Sequence, residues 1–491
     1  MKVLLIRPPI KIKKYELISV GVPMGLLYIA SPLEKNNHSV KIIDLFFEGW
    51  KEGPIKIGDD NYFTMSDEWI IKKIKEFKPN LIGISLMFTS QAEEGYKIAE
   101  LVKRIDKKIK IVVGGAHVCV AVEEVLSKKY IDYACVGEGE KTIEMLANNV
   151  KLNKIPNLGY KKNNKIKINQ RKFIDRLDSI PFPALDLIDF KNYPSGAALE
   201  IVEKPVAIIE SSRGCPGDCV FCNAYTILGK KWRARSAKNV VDEIEWLVKN
   251  YGVREIQFID DNVSLDKERM IEICKGIVNR KIKIKWTVPN GIGIWSLDRE
   301  VLIWMKKSGC YKLNFGIESG NSQTLKFIGK FKQLSNKKAE EVIKIANELG
   351  IWTHGFCVFG FYDESLEQII DTLNWTIKLD LDSAGFSIVT PYIGSKLYDY
   401  VKKKGCKINL KELRPMLASY DTKYFKKEEI TELQSRLYSI YFKKRLLNYL
   451  KFKIFCMRMK RMFNKASWII LEQNFLRLIK IMGRRKIEYC E

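Results

Sequence analysis

Arg213-Gly214-Cys215-Pro216-Gly217-Asp218-Cys219-Val220-Phe221-Cys222 is the stretch on which the reading of this chain turns. Three cysteines stand at a C-x3-C-x2-C spacing, with an aromatic residue just before the third. Three thiolates at such a spacing hold three irons of a [4Fe–4S] cluster and leave the fourth iron open. An open iron is a place for chemistry, as the vacant position of a three-ligand zinc is. A structural zinc would need a fourth ligand from a second close pair, and Cys274 and Cys310 stand alone. Buried cysteines falling together by chance are the other plain reading, but Gly214, Pro216 and Gly217 shape the segment for a turn.

An apolar run, 205–212, delivers the chain into this loop. Beyond it, strands are predicted at 206–212, 255–260, 283–288, 312–318, 353–359 and 385–390. Helix-period stretches at 237–249, 267–278, 299–307, 337–349 and 365–377 separate them. Six β/α units over 201–400 predict a partial (β/α)6 TIM-type barrel, with its site at the C-terminal ends of the strands. Those ends carry Asp260-Asp261-Asn262, Gly316-Ile317-Glu318-Ser319-Gly320, Gly355 to Glu364, and Pro391 to Tyr398. Glycines let a ligand approach the backbone, and a carboxylate suits an ammonium group. Asp261 as a helix N-cap is the plain alternative.

Toward the N-terminus, β-rich runs at 2–6, 39–45, 81–85, 109–113 and 132–136 alternate with helical stretches at 23–35, 67–77, 92–105 and 120–129. A last helix opens near Glu140. The alternation predicts a Rossmann-like, flavodoxin-like parallel sheet over 1–150, binding ligands outside its strands' carboxyl ends. Ser85, Gly114-Gly115-Ala116-His117 and Gly137-Glu138-Gly139-Glu140-Lys141-Thr142 fall there. Residues 151–200 hold Pro156, Pro181, Pro183 and Pro194, show little periodicity and read as a linker. Residues 401–491 read as a basic helical region.

The whole chain has 491 residues, 46% hydrophobic and 29% charged, which excludes wholesale disorder. Its net charge of +26 points to anionic partners. No run of eighteen apolar residues is present, and the start lacks a cleavable signal pattern. Eleven scattered cysteines fit a reducing, cytoplasmic location. From Arg436 to Lys486 there are fifteen basic residues and one acid, Glu472. Trp468, Leu471, Phe475, Leu478 and Met482 form one apolar stripe, with Phe442, Leu446, Tyr449 and Phe452 before it. Such a tail suits peripheral contact with an anionic membrane, at the inner face, or simply caps the barrel. It lacks a recognised nucleic-acid motif, so nucleic acid is not an expected partner.

The cysteine loop and the ordered strand-end motifs resemble the radical S-adenosylmethionine (SAM) superfamily. Ser85-Leu86-Met87, then 26 residues, then Gly114-Gly115 resembles the latter half of the cobalamin-binding signature. Its first half, Asp-x-His-x-x-Gly, is absent, and His38 has no such neighbours. Together the two halves resemble the cobalamin-dependent radical SAM enzymes over about 400 residues. The resemblance implies Cys215, Cys219 and Cys222 as ligands of a [4Fe–4S] cluster. It implies Phe221, Asp260, Asp261, Glu318, Ser319, Gly355 and Gly360 around SAM. For cobalamin it implies Ser85, Met87, Gly114, Gly115, His117, Gly137, Glu138 and Gly139, with cobalt lacking a protein histidine.

Two motifs depart from the family pattern. Phe361-Tyr362-Asp363-Glu364-Ser365 replaces the commoner Leu-Pro-x-Glu-Thr, and Pro391-Tyr392-Ile393-Gly394-Ser395 lacks the second proline of Pro-x-Pro-Gly-Thr. The implied activity is methylation of an unactivated carbon through a 5′-deoxyadenosyl radical and methylcobalamin. The cofactors carry the hard step, so no side-chain acid or base is named. Oxidative cyclisation or rearrangement is the alternative outcome, and a non-catalytic cobalamin or redox sensor the alternative class. Methylthiolation of tRNA is disfavoured, because only Cys119 and Cys135 precede the linker. The implied partners are a small-molecule or lipid-like substrate and an external one-electron donor such as flavodoxin or ferredoxin.

Overall fold

The computed structural model describes residues 1–14, 19–198, 200–329, 336–410, 413 and 417–449. They divide into two compact units. One is Met1–Pro194 together with Ala224–Gly229; the other runs from Ser195 to Asn223 and onward from Lys230.

The first unit is built on β1 (Lys2–Arg7), β2 (Ser39–Asp44), β3 (Leu81–Ser85), β4 (Lys110–Gly114) and β5 (Tyr133–Cys135). All five are parallel, in the order β2-β1-β3-β4-β5. Alternate side chains of β1 go to opposite faces, as strand pleating requires. Leu4 and Ile6 pack with Tyr96, Ala99 and Val102 of α3 (Ala92–Ile105). Val3 and Leu5 pack with Leu26, Ala30 and Leu33 of α1 (Met24–Lys35), and with Ile143 and Leu146 of α5 (Glu140–Ala147). Each fully buried aliphatic side chain of this kind stabilises the unit by about 1.5–3 kcal/mol. Between β2 and β3 runs α2 (Asp67–Phe77), which Ser66 caps by accepting from the Trp69 N–H. The strand order reverses between β1 and β3, which makes a switch-point crevice at their carboxyl ends.

The segment read as a linker is largely folded. β6 (Leu158–Lys162) and β7 (Lys165–Ile168) form an antiparallel hairpin that adds to β5. Asn163 and Asn164 turn it with φ of 51° and 59°, the left-handed pair that a two-residue hairpin loop needs. Ala184 and Leu187 join the α1 side of the core, and Tyr193 donates to Asp44 Oδ2 at 2.8 Å. A three-stranded sheet of Ile10–Lys13, Asp60–Phe63 and Ile55–Ile57 was also not expected from periodicity.

The second unit carries β8 (Val206–Ile209), β11 (Glu255–Phe258), β12 (Lys285–Ile292), β13 (Cys310–Glu318), β14 (Trp352–Phe359) and β15 (Ser383–Ile388). They are all parallel and lie in sequence order, with β8 and β15 as the edges of an open barrel. A short antiparallel ribbon, β9 (Ser212–Arg213) with β10 (Arg233–Ala234), brackets the cysteine loop. The helices between strands start on built caps. Ser236, Asp266 and Asp298 each accept from a first-turn N–H, and Ser365 with Gln368 makes a capping box.

Polar groups close the N-terminal end of this sheet. Glu255 accepts from Val202 N at 2.7 Å, Glu203 N at 3.0 Å, Gln257 Nε2 at 3.0 Å and Tyr311 OH at 2.9 Å. Lys312 pairs with Glu200 beside it. Edge strand β15 is covered by α14 (Lys427–Tyr449). Gln434 donates to Phe386 O at 2.7 Å, and Tyr438 OH accepts from Phe386 N at 3.0 Å. The helix therefore occupies an edge that would otherwise expose unpaired backbone groups. Phe442, part of the apolar stripe read from the sequence, is exposed; Tyr438 and Tyr441 pack on Phe386. The second stripe, Trp468 to Met482, lies outside the described residues.

Candidate active site

The cysteine loop leaves β9 and is held from several sides. Val220 donates to Ile328 O at 3.0 Å, Leu397 donates to Val220 O at 2.8 Å, and Cys222 donates to Cys219 O at 3.1 Å. Asn223 Nδ2 reaches Ile393 O at 3.4 Å, so the 391–398 segment, which lacks that second proline, closes on the loop. Gly217 donates to Cys215 Sγ at 3.4 Å, and a Cβ on Gly217 would lie 3.2 Å from that sulfur and 3.9 Å from Cys219 Sγ. The loop is thus folded around its sulfurs with glycine at the crowded point. Cys215, Cys219 and Cys222 are partly exposed thiols, outside any disulfide. Among the described residues no three His, Cys, Asp or Glu side chains converge on a single metal ion. A cluster asks less, because each thiolate binds a different iron. The residues fit a three-thiolate cluster better than an isolated ion. Phe221 packs at a ring distance of 6.4 Å from Phe361.

Asp260 and Asp261 follow β11 and separate in role. Asp260 is buried; its oxygens accept from Ser211 N at 3.1 Å, Ser211 Oγ at 2.7 Å and Ser212 Oγ at 2.5 Å. It ties β11 to the strand entering the loop. Asp261 is exposed to solvent yet closely surrounded by protein. Loss of hydration, then the neighbouring Asp260 charge, push its carboxyl up to about 6, while the Gly214 N–H opposes them. It is not a helix cap: α8 (Lys267–Asn279) is capped by Asp266.

Glu318 ends β13, buried, with φ of +64° beside a register shift at Gly316. A non-glycine residue held there is strained by about 1–3 kcal/mol, a cost found where a side chain must be aimed. Ser319 and Gly320 serve packing. Ser319 Oγ lies 2.7 Å from Thr372 Oγ1, and a Cβ on Gly320 would meet Trp375 Cβ at 2.7 Å on α12 (Leu366–Lys378). Gly355 is likewise a packing glycine, where a Cβ would strike Ile317 Cδ1 at 2.5 Å. Gly360 turns the chain after β14 with φ of +89°. Its N–H donates to Glu364 Oε2 at 2.7 Å, Phe361 N adds a bond at 3.3 Å, and Thr324 Oγ1 reaches Oε1 at 3.4 Å. Despite its changed flanks, the Phe-Tyr-Asp-Glu-Ser loop keeps a buried glutamate at its hub. Burial pushes the Glu364 carboxyl up to about 7.

In the first unit, Ser85 and Gly114 are register partners at the ends of β3 and β4. Gly115 has φ of +115°, and a Cβ there would sit 2.6 Å from Leu86 O. Met87 is 54% exposed and Phe88, which the sequence reading did not single out, is 57% exposed, so an apolar shelf stands at the sheet's carboxyl edge. That shelf, beside the close approach of Gly115 to the Leu86 backbone, fits the flat, largely apolar face of a corrin. His117 lies on α4 (Ala116–Val120), buried, with Nε2 2.9 Å from Tyr96 OH and Nδ1 3.1 Å from Thr89 Oγ1. Burial lowers its pKa. Gly137, with φ of +120°, lies beneath the Arg171 guanidinium; Glu138 Oε2 accepts from Ile174 N at 2.5 Å. These two seat the 171–174 segment. Gly139 opens α5. His38 lies at the opposite end of the sheet, bonded to Met1 N at 3.1 Å and Asn148 Oδ1 at 3.0 Å.

A flavodoxin-like sheet and an open six-stranded barrel with a three-thiolate loop define the class of a two-part radical enzyme. Residues 16–147 match the B12 binding domain family and residues 209–376 the Radical SAM superfamily. An uncharacterized methyltransferase of Pyrococcus horikoshii is 33% identical, over 91% of this chain and 94% of that protein. The cytidylyl-2-hydroxyethylphosphonate methyltransferase of Streptomyces wedmorensis is 31% identical, over 81% of this chain and 80% of its own. The chain belongs to the cobalamin-dependent radical SAM enzymes. Its fold is also that of the radical SAM methyltransferase TsrM from Kitasatospora setae, solved with cobalamin and a [4Fe–4S] cluster. That likeness has a TM-score of 0.67 at 18% identity, covering 83% of this chain and 80% of TsrM. The cobalamin-dependent enzyme OxsB, solved with aqua-cobalamin and SAM, gives 0.69 at 18% identity, over 97% and 75%. Among the described residues no helix is long and apolar enough to cross a membrane.

Proposed function

We propose that this chain is a C-methyltransferase acting on an unactivated carbon. The observation that carries the reading is Asp261: a solvent-open carboxylate held by Gly214 N–H at the root of the cysteine loop. Two relatives above 30% identity, both methyltransferases by name, support the outcome. Bound together, the cluster, SAM and cobalamin supply a 5′-deoxyadenosyl radical and a transferable methyl group. Cys215, Cys219 and Cys222 would hold three irons. The Asp261 carboxylate would pair with the SAM ammonium and Glu318 would fix the SAM ribose or amino acid. Gly360, its N–H held by Glu364 and its carbonyl by Tyr420, would shape the turn beside adenine, and Phe221 packs against Phe361. The Ser85, Met87, Gly114 and Gly115 notch would take cobalamin, with Gly139 presenting the start of α5 to its tail. The work of these side chains is to orient and to exclude water, and none is required as an acid or base.

We further place the enzyme in the cytoplasm, with a small-molecule or lipid-like substrate and its basic tail against anionic lipid. Anaerobic reconstitution with cluster, cobalamin and SAM tests the main reading. Dithionite should drive SAM cleavage, each Cys→Ala variant in the loop should abolish it, and extract-derived product should gain one CH2 per turnover. Loss of two hydrogens without that gain would turn the reading to oxidative cyclisation.

A further inference from the structure

The cysteine loop reaches the surface at Asp218, and that surface is basic. Asp218 lies between Cys215 and Cys219 and is paired with Lys230 at 2.9 Å and with Lys396. Lys396 begins α13 (Lys396–Lys403), and Tyr400 and then Lys404 follow at successive turns on the same face. Tyr400 bonds Asp363, with Lys404 4.0 Å from the same carboxylate. Exposed Phe327, on α10 (Ser322–Ile328), packs against Tyr400 at a ring distance of 5.2 Å. Lys231, Lys326, Lys402 and Lys403 stand exposed in the same three segments, so lysines outnumber carboxylates there. From Phe327 a chain of rings runs inward, 5.6 Å to Phe361 and 6.4 Å on to Phe221, between the second and third cysteines. An exposed aromatic rimmed by lysines is the pattern of an interface for an acidic protein.

We infer that this face is the docking site of an acidic one-electron carrier protein, and that the Phe327–Phe361–Phe221 side is the short route to the cluster loop. The inference rests on the radical SAM reading above. At this face one electron leaves the carrier, which is oxidised, and enters the cluster, which is reduced; no bond changes and no proton is required. Among the described residues this is where a cysteine-loop side chain, Asp218, and a lysine-bearing helix meet at the surface.

The test uses the reconstituted full chain and a flavodoxin of strongly negative net charge. Calorimetry should show binding that weakens about tenfold between 50 and 300 mM salt. The variant Lys326→Glu/Lys403→Glu/Lys404→Glu should weaken it at least tenfold at low salt and slow flavodoxin-driven cluster reduction, followed by electron paramagnetic resonance. The two-site control reversal Lys238→Glu/Lys249→Glu on α7 (Ala237–Tyr251) should change affinity less than twofold. Unchanged affinity in the triple variant, equal loss in the α7 variant, or no binding by the wild type would each overturn the inference. SAM cleavage driven by dithionite separates the two readings. If it fails in the wild type, the functional reading falls; if it proceeds equally in wild type and triple variant while affinity is unmoved, only the docking face falls.

Discussion

Two carboxylates set the expected behaviour of the site. Asp261 binds an ammonium only as a carboxylate, and its pKa of about 6 places the change within reach of ordinary buffers. SAM affinity should therefore rise as pH climbs from 5 to 7 and level off above. Asp261→Asn should lose about five- to tenfold in affinity and flatten the profile, since a partly solvated charge pair contributes on the order of 1 kcal/mol. Equilibrium dialysis across pH measures both. Glu318 makes the opposite use of its residue type. Glycine suits a φ of +64° without strain, so Glu318→Gly should fold at least as stably as wild type while SAM binding drops. Urea melts beside SAM titration would show the split; a variant that melts early would make Glu318 a structural residue. Sequence alone does not divide Asp260 from Asp261. They are adjacent at a strand end and point to different sides, so only the folded neighbours Ser211, Ser212 and Gly214 reveal which one is occupied.

The strands were legible because β-branched runs between helical periods leave little choice of element. All six barrel strands and five sheet strands lie within a few residues of the periodicity reading. The hairpin 158–168 escaped because its Lys-Ile alternation has no buried counterpart on β7, where every residue is exposed. The Asn-Asn turn was the signal available. The loop around Glu364 shows how an element depends on one buried group. Its folded pKa of about 7 lies above the ordinary 4.5, so its contribution is full below pH 4.5 and is lost as pH rises through 7. Glu364→Gln should remove this decline, which amounts to about 3 kcal/mol at most, when urea stability is measured between pH 4.5 and 8. A histidine's fate was equally a matter of its element. His117 falls on α4, where Tyr96 and Thr89 take both ring nitrogens. Cob(II)alamin bound to the protein should accordingly lack nitrogen superhyperfine splitting from a protein histidine in its electron paramagnetic resonance spectrum; a protein-derived triplet would contradict it.

Over the molecule as a whole, the charge of +26 is unevenly spent. Much of it lies after Arg436, and α14 is committed to β15 through Gln434 and Tyr438. Membrane affinity should reside in the residues beyond that helix. The protein should float with anionic vesicles, lose this on removal of residues after 466, and bind less in high salt. A sedimenting full-length protein would end the idea. The seam of the two-unit division was not legible in the sequence, because a linker without periodicity can still pack by single residues such as Ala184 and Tyr193. One detail of that seam governs how the chain may be taken apart. Residues Ala224–Gly229 belong to the first unit although they follow the cysteines of the second, and Arg171 holds them through the carbonyls of Thr226 and Ile227. The cobalamin-binding part is therefore not a module that one cut can excise. A fragment ending at 194 leaves behind a strap that comes later in the chain, and a fragment beginning at 195 carries a strap belonging to its missing neighbour. Shuffling such halves between relatives calls for exchange at two places at once, so inheritance favours keeping both parts as a single block.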